Sequence, residues 1–351
     1  MTMLSRTADN LFWMCRYVER AESTARMLDV NLHMSLLPQD APTRAGSWSA
    51  VLRISELQEL FDEHYDSVTP RDVLHFMVRE PANPSSIYSC LRAARENGRA
   101  VRGSLTTELW ETHNATWLDL QKHLRDGLPE RNPGEFFEWV KFRSHVARGV
   151  TVSTMLADES LYFQRIGMHL ERADNTARML DVKFHELDAV AETRAQSQAD
   201  PHADPHGRDE PAVLAGPAQA PLDTLRPNGV HSEFYRWSAI LSSVSGLEIY
   251  RKVYRDIITP DRVAELLIVN GDMPRSLLAS VKAVADDLAR VANGRSFEAE
   301  RRVGMLRAEL EYARIEDILR GGLHRFLESF LDRINDLGNR ISQDFLVPLS
   351  A

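Results

Sequence analysis

The segment VERAESTARMLDV at residues 18–30 is written again as LERADNTARMLDV at residues 170–182. At a constant shift of 152 positions (171 minus 19), residues 17–34 and 169–186 agree at 11 of 18 places. The shared positions include Glu19/Glu171, Arg20/Arg172, Arg26/Arg178 and Asp29/Asp181. A chain that writes one charged helix twice is constrained to bury two copies of the same face. The repeat also extends further. WSAVLRISELQEL from Trp48 is echoed by WSAILSSVSGLEI from Trp237, VTPRDVLHFMV from Val68 by ITPDRVAELLI from Ile258, and NPSSIYSCL from Asn83 by MPRSLLASV from Met273. The order is the same in both halves. The expectation is an all-α helical bundle built from two tandem, pseudo-symmetric repeats, residues 1–157 and 158–351, together one domain.

Local grammar supports helices throughout. Thr69-Pro70 and Thr259-Pro260 each read as an N-cap followed by proline at the first helical position, where its missing N–H costs nothing. Asn83-Pro84 and Asn132-Pro133 repeat that device. The first helix is predicted over about residues 5–37, stopped by Pro38, and its equivalent over about 158–187. Alternating apolar–polar strand patterns are absent. Residues 195–230 hold six of the 16 prolines and few large apolar side chains, which predicts a disordered insertion. His202 and His206 within it read as parts of a solvated loop.

With 351 residues the chain can bury a sizeable core, and 43% hydrophobic with 26% charged residues describes a globular protein. A formal net charge of −9 argues against general nucleic-acid binding. Positive charge is nearly all arginine, since there are five lysines (Lys122, Lys141, Lys183, Lys252, Lys282). Cys15 and Cys90 lack metal-type spacing and fit a packing role in a reducing compartment. No apolar run approaches the ~18 residues of a membrane span, and the N-terminus carries Arg6 and Asp9 where a signal peptide would be apolar. The expectation is a cytoplasmic protein with neither membrane nor nucleic-acid partner.

On a helix at about 100° per residue, Leu11, Met14, Val18, Ala21, Ala25, Leu28 and Leu32 form an apolar stripe. Glu19, Glu22, Arg26 and Asp29 form a second stripe on its flank, and Glu171, Asp174, Arg178 and Asp181 do so in the second copy. Three readings follow. The stripes are an ion-pair ladder that sets register, with pairs such as Glu19–Arg178 or Glu171–Arg26. Alternatively they form a ligand site, in which Arg20, Arg26, Arg172 and Arg178 receive an anionic group and the carboxylates orient them or bind an amine. The third reading is a metal site built on Glu19-x-x-Glu22 and Glu171-x-x-Asp174. Against metal, the Glu-x-x-His pairs of di-iron bundles are missing, arginines stand one turn away, and His33 and His185 lie about 21 Å along the helix. No metal or cofactor is therefore expected. Arg95 and the stretches at 96–114 and 141–156, with Arg99, Arg102, Glu108, Glu111, His145 and Arg148, add further polar material. No glycine-rich phosphate loop, nucleophile elbow or HExxH is present, so no self-sufficient catalytic apparatus is visible.

LSRTADNLFWMCRYVERAESTARMLDV, SLTTELWETHN and GMHLERADNTARMLDVK resemble motifs of the bacterial alpha-E family, an all-helical domain of unknown function, over essentially the full length. Such proteins are found encoded beside circularly permuted ATP-grasp proteins and transglutaminase-like proteases. The resemblance implies those two as partners, and a role in a system that forms or cleaves amide bonds on a peptide or small amino compound. With Arg6, Glu108 and Glu111 from the resembling stretches, the candidate contact residues are Arg6, Glu19, Arg20, Glu22, Arg26, Glu108, Glu111, Glu171, Arg172, Asp174 and Arg178. The alternatives are an enzyme in its own right, with Glu19 or Glu171 as general base, and a pure scaffold. Two features depart from the family: Cys15 stands where glycine is common, and the proline-rich insertion is long for a bundle connection.

Overall fold

A computed structural model of the chain describes residues 3–36, 41–198 and 229–346. It is all-α. The helices are α1 (Ser5–Ser35), α2 (Ala41–Ile54), α3 (Gln58–Asp62), α4 (Pro70–Val78), α5 (Ile87–Ala100), α6 (Thr107–Arg125), α7 (Leu128–Arg131) and α8 (Pro133–Thr154). After them come α9 (Glu159–Gln198), α10 (Gly229–Ser243), α11 (Leu247–Tyr254), α12 (Pro260–Ile268), α13 (Leu277–Ala292), α14 (Glu298–Tyr312), α15 (Ile315–Gly321) and α16 (Leu323–Phe345). No strand occurs among the described residues, and no helix among them is long and apolar enough to cross a membrane. Most of the proline-rich insertion, including His202 and His206, lies outside the described residues.

The helix starts follow their capping residues, with two corrections. The Thr69 hydroxyl accepts from the Asp72 N–H at 3.2 Å, with Pro70 at the first position of α4, and Asn132 caps α8 by accepting from the Glu135 N–H at 3.3 Å. Pro260 opens α12 in the same way, but the Thr259 side chain makes no cap. Asn83-Pro84 does not start a helix. Buried Asn83 donates to the Phe76 carbonyl at 3.1 Å and accepts from the Ser85 N–H at 2.9 Å, which shapes a turn. Helix α5 begins after it, with the Ser86 hydroxyl accepting from the Ser89 N–H, as Ser276 accepts from Ala279 at the start of α13. α1 ends at Ser35, short of Pro38, while α9 runs on to Gln198, past the predicted 187.

α1 and α9 lie side by side and run the same way. The Met3 N–H donates to Glu159 at 2.7 Å, Phe12 meets Gly167, and Arg20 meets Glu171, so residue numbers rise together along both helices. At the crossing a Cβ on Gly167 would stand 2.2 Å from the Phe12 carbonyl oxygen, so only glycine lets the backbones approach this closely. Across the same contact, Cys15 Sγ lies 3.8 Å from Gln164 Oε1. Two cores flank the pair. The C-terminal part of α1 (Ala21, Ala25, Leu28) packs with Trp48, Phe61, Phe76, Phe136 and Phe137. Its N-terminal part (Leu11, Phe12, Met14) packs with Ile166 and Leu170 of α9 and with Trp237, Tyr250 and Phe330. Because α1 belongs to both cores, neither half of the fold is complete without it. α2 packs on α9 and α10 on α1, which interlocks the halves further.

Candidate functional site

The apolar stripe of α1 is buried as its spacing requires, and the charged flank is buried with it. Glu19 and Glu22 are about as inaccessible as the core leucines. Carboxylates in such a place must be paired, and arginines from three other elements reach them. Arg172 of α9 grips Glu19 with Nε and Nη2, both at 2.9 Å. Arg275, in the turn before α13, spans both carboxylates, donating to Glu19 at 2.7 Å and to Glu22 at 2.6 Å. Arg148 of α8 donates to Glu19 at 3.1 Å and to Glu22 at 2.5 Å. Arg26, one turn along α1, donates to Glu22 at 2.9 Å. The Arg275 turn is held from behind: Arg172 donates to the Pro274 carbonyl, Thr176 to the Arg275 carbonyl, and Ser276 to the Asn270 carbonyl.

The second copy of the motif builds a different arrangement. Glu171 accepts from Arg20 Nε at 2.6 Å and Nη2 at 3.0 Å, and from Arg16 at 2.8 Å. Arg178 grips Asp174 of its own helix at 2.9 and 3.1 Å and also pairs with Glu56. These groups line a polar cleft of about 200 Å³, with Ser85 in its wall. Ser85 directly precedes the N-cap serine of α5, and Arg275 directly precedes that of α13. The turn that delivers a guanidinium to Glu19 and Glu22 in one place presents only a hydroxyl to the cleft in the other.

The electrostatics follow from this geometry. Burial opposes ionisation of Glu19, but Arg172, Arg275 and Arg148 outweigh it and hold the carboxyl well below its usual range. Glu22 is lowered too: burial and the neighbouring Glu19 oppose this, and Arg275 and Arg148 prevail. Glu171 is pulled down to about 2 against its burial by Arg20 and Arg16. Asp174 goes the other way, raised by burial that Arg178 does not offset. A general base needs a free lone pair and a pKa near the working pH. Glu19 and Glu171 have neither, being saturated with N–H donors.

Of the residues read from sequence, Glu19, Glu22, Arg26 and Arg172 meet in the first cluster, and Arg20, Glu171, Asp174 and Arg178 in the second. The expected pairs Glu19–Arg178 and Glu171–Arg26 do not form. The helices run parallel, so each glutamate meets the arginine beside its counterpart, and Arg26 and Arg178 turn back to their own helices. Arg6, Glu108 and Glu111 are exposed and belong to neither cluster. Cys15 is no nucleophile: burial, reinforced by Glu19, pushes its thiol up to about 12. Among the described residues no group of three or more His, Cys, Asp or Glu is placed to hold a metal. Sequence reasoning missed Arg16, Glu56 and Arg275 and quoted Arg148 only as part of a polar stretch. The signal for Arg275 lay in the echo of NPSSIYSCL by MPRSLLASV, where it replaces a serine.

No curated protein and no solved structure matches the chain. The profile of Alpha-E, described as a predicted alpha-helical domain with a conserved ER motif, matches residues 3–346. Two of the chain's Glu-Arg dipeptides, 19–20 and 171–172, supply the four residues that cross-link α1 to α9. With a match over nearly its whole length, the chain belongs to the Alpha-E family.

Proposed function

We propose that the chain is two tandem repeats, 1–157 and 158–351, and that it serves as a binding component of an ATP-grasp-type amide-bond-forming or peptide-processing system. The reciprocal contacts support the duplication. Glu19–Arg172 and Arg20–Glu171 are one contact seen from each side, and so are Phe12–Gly167 and Gln164–Cys15. The first cluster is then architecture, and the cleft is the place for a ligand. The observation that carries this reading is Ser85 at the position where the other half uses Arg275. The substitution leaves Glu171, Asp174, Arg20, Arg178 and Glu56 around open space. A cleft bearing both signs suits a molecule with an ammonium and a carboxylate. At about 200 Å³ it is smaller than the ~300–1,000 Å³ of drug-sized sites. It therefore fits one residue or the end of a peptide, not a nucleotide.

The partners in this reading are a circularly permuted ATP-grasp protein and a transglutaminase-like protease, as the family resemblance implies. Binding is favoured over catalysis because the two candidate bases, Glu19 and Glu171, are both locked in guanidinium contacts. The test is to mix the protein with its ATP-grasp partner and measure co-purification and amide formation, with wild type and with Ser85→Arg. Ser85→Arg should fill the cleft and abolish the protein's contribution while leaving its melting temperature within a few degrees. An amide-forming rate that is the same with and without the wild-type protein, together with no co-purification, ends the proposal.

A further inference from the structure

The first cluster holds more positive charge than its carboxylates balance. Glu19 and Glu22 face four guanidiniums, those of Arg26, Arg148, Arg172 and Arg275, an excess of two positive charges. The next group along, in which Lys141 lies 2.8 Å from Asp29 and 2.5 Å from Glu138, carries one net negative charge but is paired with none of the four arginines, and it leaves the cluster positive. Arg172 and Arg275 are sealed on the protein side. The open side is formed by Arg148, 25% exposed, and by His145, 55% exposed. There the Nη2 atoms of two arginines converge on one imidazole. Arg26 Nη2 lies 3.1 Å from His145 Nε2, and Arg148 Nη2 lies 3.5 Å from His145 Nδ1.

A neutral imidazole accepts at one nitrogen and carries hydrogen on the other. One of these two contacts therefore sets N–H against N–H. A protonated ring would do so at both and would add a third unbalanced cation. Arg26 Nη2 gives its two hydrogens to Glu22, at 2.8 Å, and to His145 Nε2, which leaves the ring Nδ1–H facing Arg148 Nη2. The arrangement becomes consistent when an oxyanion sits beside these last two groups and accepts from both. A carboxylate would cancel one of the two excess charges, and a phosphate dianion cancels both.

We propose that Arg26, Arg148 and His145 form the mouth of a binding site for a phosphate dianion, either free or carried as a monoester on a small molecule. The site shares no residue with the Ser85 cleft and does not depend on the function proposed for it.

The full-length protein is titrated calorimetrically with inorganic phosphate and, separately, with glycerol 3-phosphate, above the second ionisation of phosphate. Acetate and potassium chloride at matched ionic strength are the controls. Expected is saturable binding of at least one phosphate compound. The tighter of the two identifies whether the group is free or carried. His145→Glu, which puts a carboxylate at the mouth next to Arg148 while leaving the Arg172 and Arg275 contacts of Glu19 and Glu22 in place, should weaken binding about tenfold or more. Arg148→Lys keeps a charge beside Glu22 but removes the second Nη, and should weaken it similarly. Melting temperatures of both variants near wild type show that the fold is intact. No saturable binding of either phosphate compound overturns the site. So does binding that His145→Glu leaves unchanged, or an equal response to acetate.

Discussion

Removing the charge of Glu19 tests whether the first cluster holds the fold together. Glu19 is 1% exposed and accepts four N–H bonds from Arg172, Arg275 and Arg148. Glu19→Gln keeps the shape, but one oxygen becomes an NH2 that faces donors. At least two bonds to charged groups are lost, each worth about 1.5–3 kcal/mol. The unbalanced positive charge rises at the same time. Breaking a buried pair from one side costs about 3–5 kcal/mol, in agreement. α1 lies in both cores, so the chain should melt as one unit. At about 2.1 cal/mol/K per residue over 351 residues, each kcal/mol moves the midpoint by roughly 1.4 °C. The expected fall is about 4–7 °C, measured by calorimetric melts at fixed pH and salt. Glu298→Gln, half-buried in the first turn of α14 and paired only with the surface arginines Arg301 and Arg302, is the control and should move the midpoint by far less. Adding Arg172→Met to Glu19→Gln should recover part of the loss, because the arginine left unpaired is then gone too. A Glu19→Gln midpoint within 1 °C of wild type would refute the reasoning and mean that water already reaches the cluster.

Gly167→Ala should destabilise by at least about 1–3 kcal/mol, since its Cβ would strike the Phe12 carbonyl, whereas Cys15→Ala on the facing helix should melt nearly as wild type. Both cysteine thiols are pushed up to about 12 by burial, so a disulfide thiol reagent at mild alkaline pH should titrate neither until denaturant is added. Acid should destabilise in two stages. His113 and His169 are held down to about 4 and about 3 by burial and nearby arginines, so the unfolded chain takes up their protons first and stability falls from about pH 6.5 downward. Glu19, Glu22 and Glu171 are also depressed; their contribution is complete above about pH 4.5 and is lost below it, for Glu171 down to about 2. Melts between pH 7.5 and 4 check the first stage, which His113→Gln should flatten.

The all-helical class and the facing of the two duplicated helices were readable because both follow from periodicity. A buried stripe at i, i+3, i+7 must meet something, and a stripe written twice offers itself as that something. What could not be read is who pairs with whom. Spacing along one helix says that Glu19 and Glu22 share a flank. It says nothing about the direction of the neighbouring helix, and that direction decides between Arg172 and Arg178 as the partner of Glu19. The parallel course of α1 and α9 is set by the long path through α2–α8 that returns the chain to the same end, and by the Gly167 contact that fixes the crossing. Asn83-Pro84 misled for a local reason. The asparagine signal is the same for a cap and for an Asx-type turn, and only the following Ser86 decides in favour of the turn.

The arginine that completes the first cluster was hidden because it lies in a turn, 256 residues from Glu19, where no helical periodicity exists to flag it. A repeat nonetheless carries a second kind of information. On the proposed duplication, a residue that both copies share serves both halves, and a residue that differs beside the long helices tells the two sites apart. Ser85 and Arg275 are such a pair. Each stands just before an N-cap serine, in a turn that reaches the long helices. The arginine fills the space its turn faces with a guanidinium, and the serine leaves the corresponding space open. Phe12 and Gln164, or Cys15 and Gly167, also differ between the copies. There the difference only adjusts the fit of two helices to each other, because both members of each pair lie in the same contact. Differences that fall across one interface are packing. The Ser85–Arg275 difference falls on two separate sites, and that is why the proposed amino-compound ligand is assigned to the cleft beside Ser85.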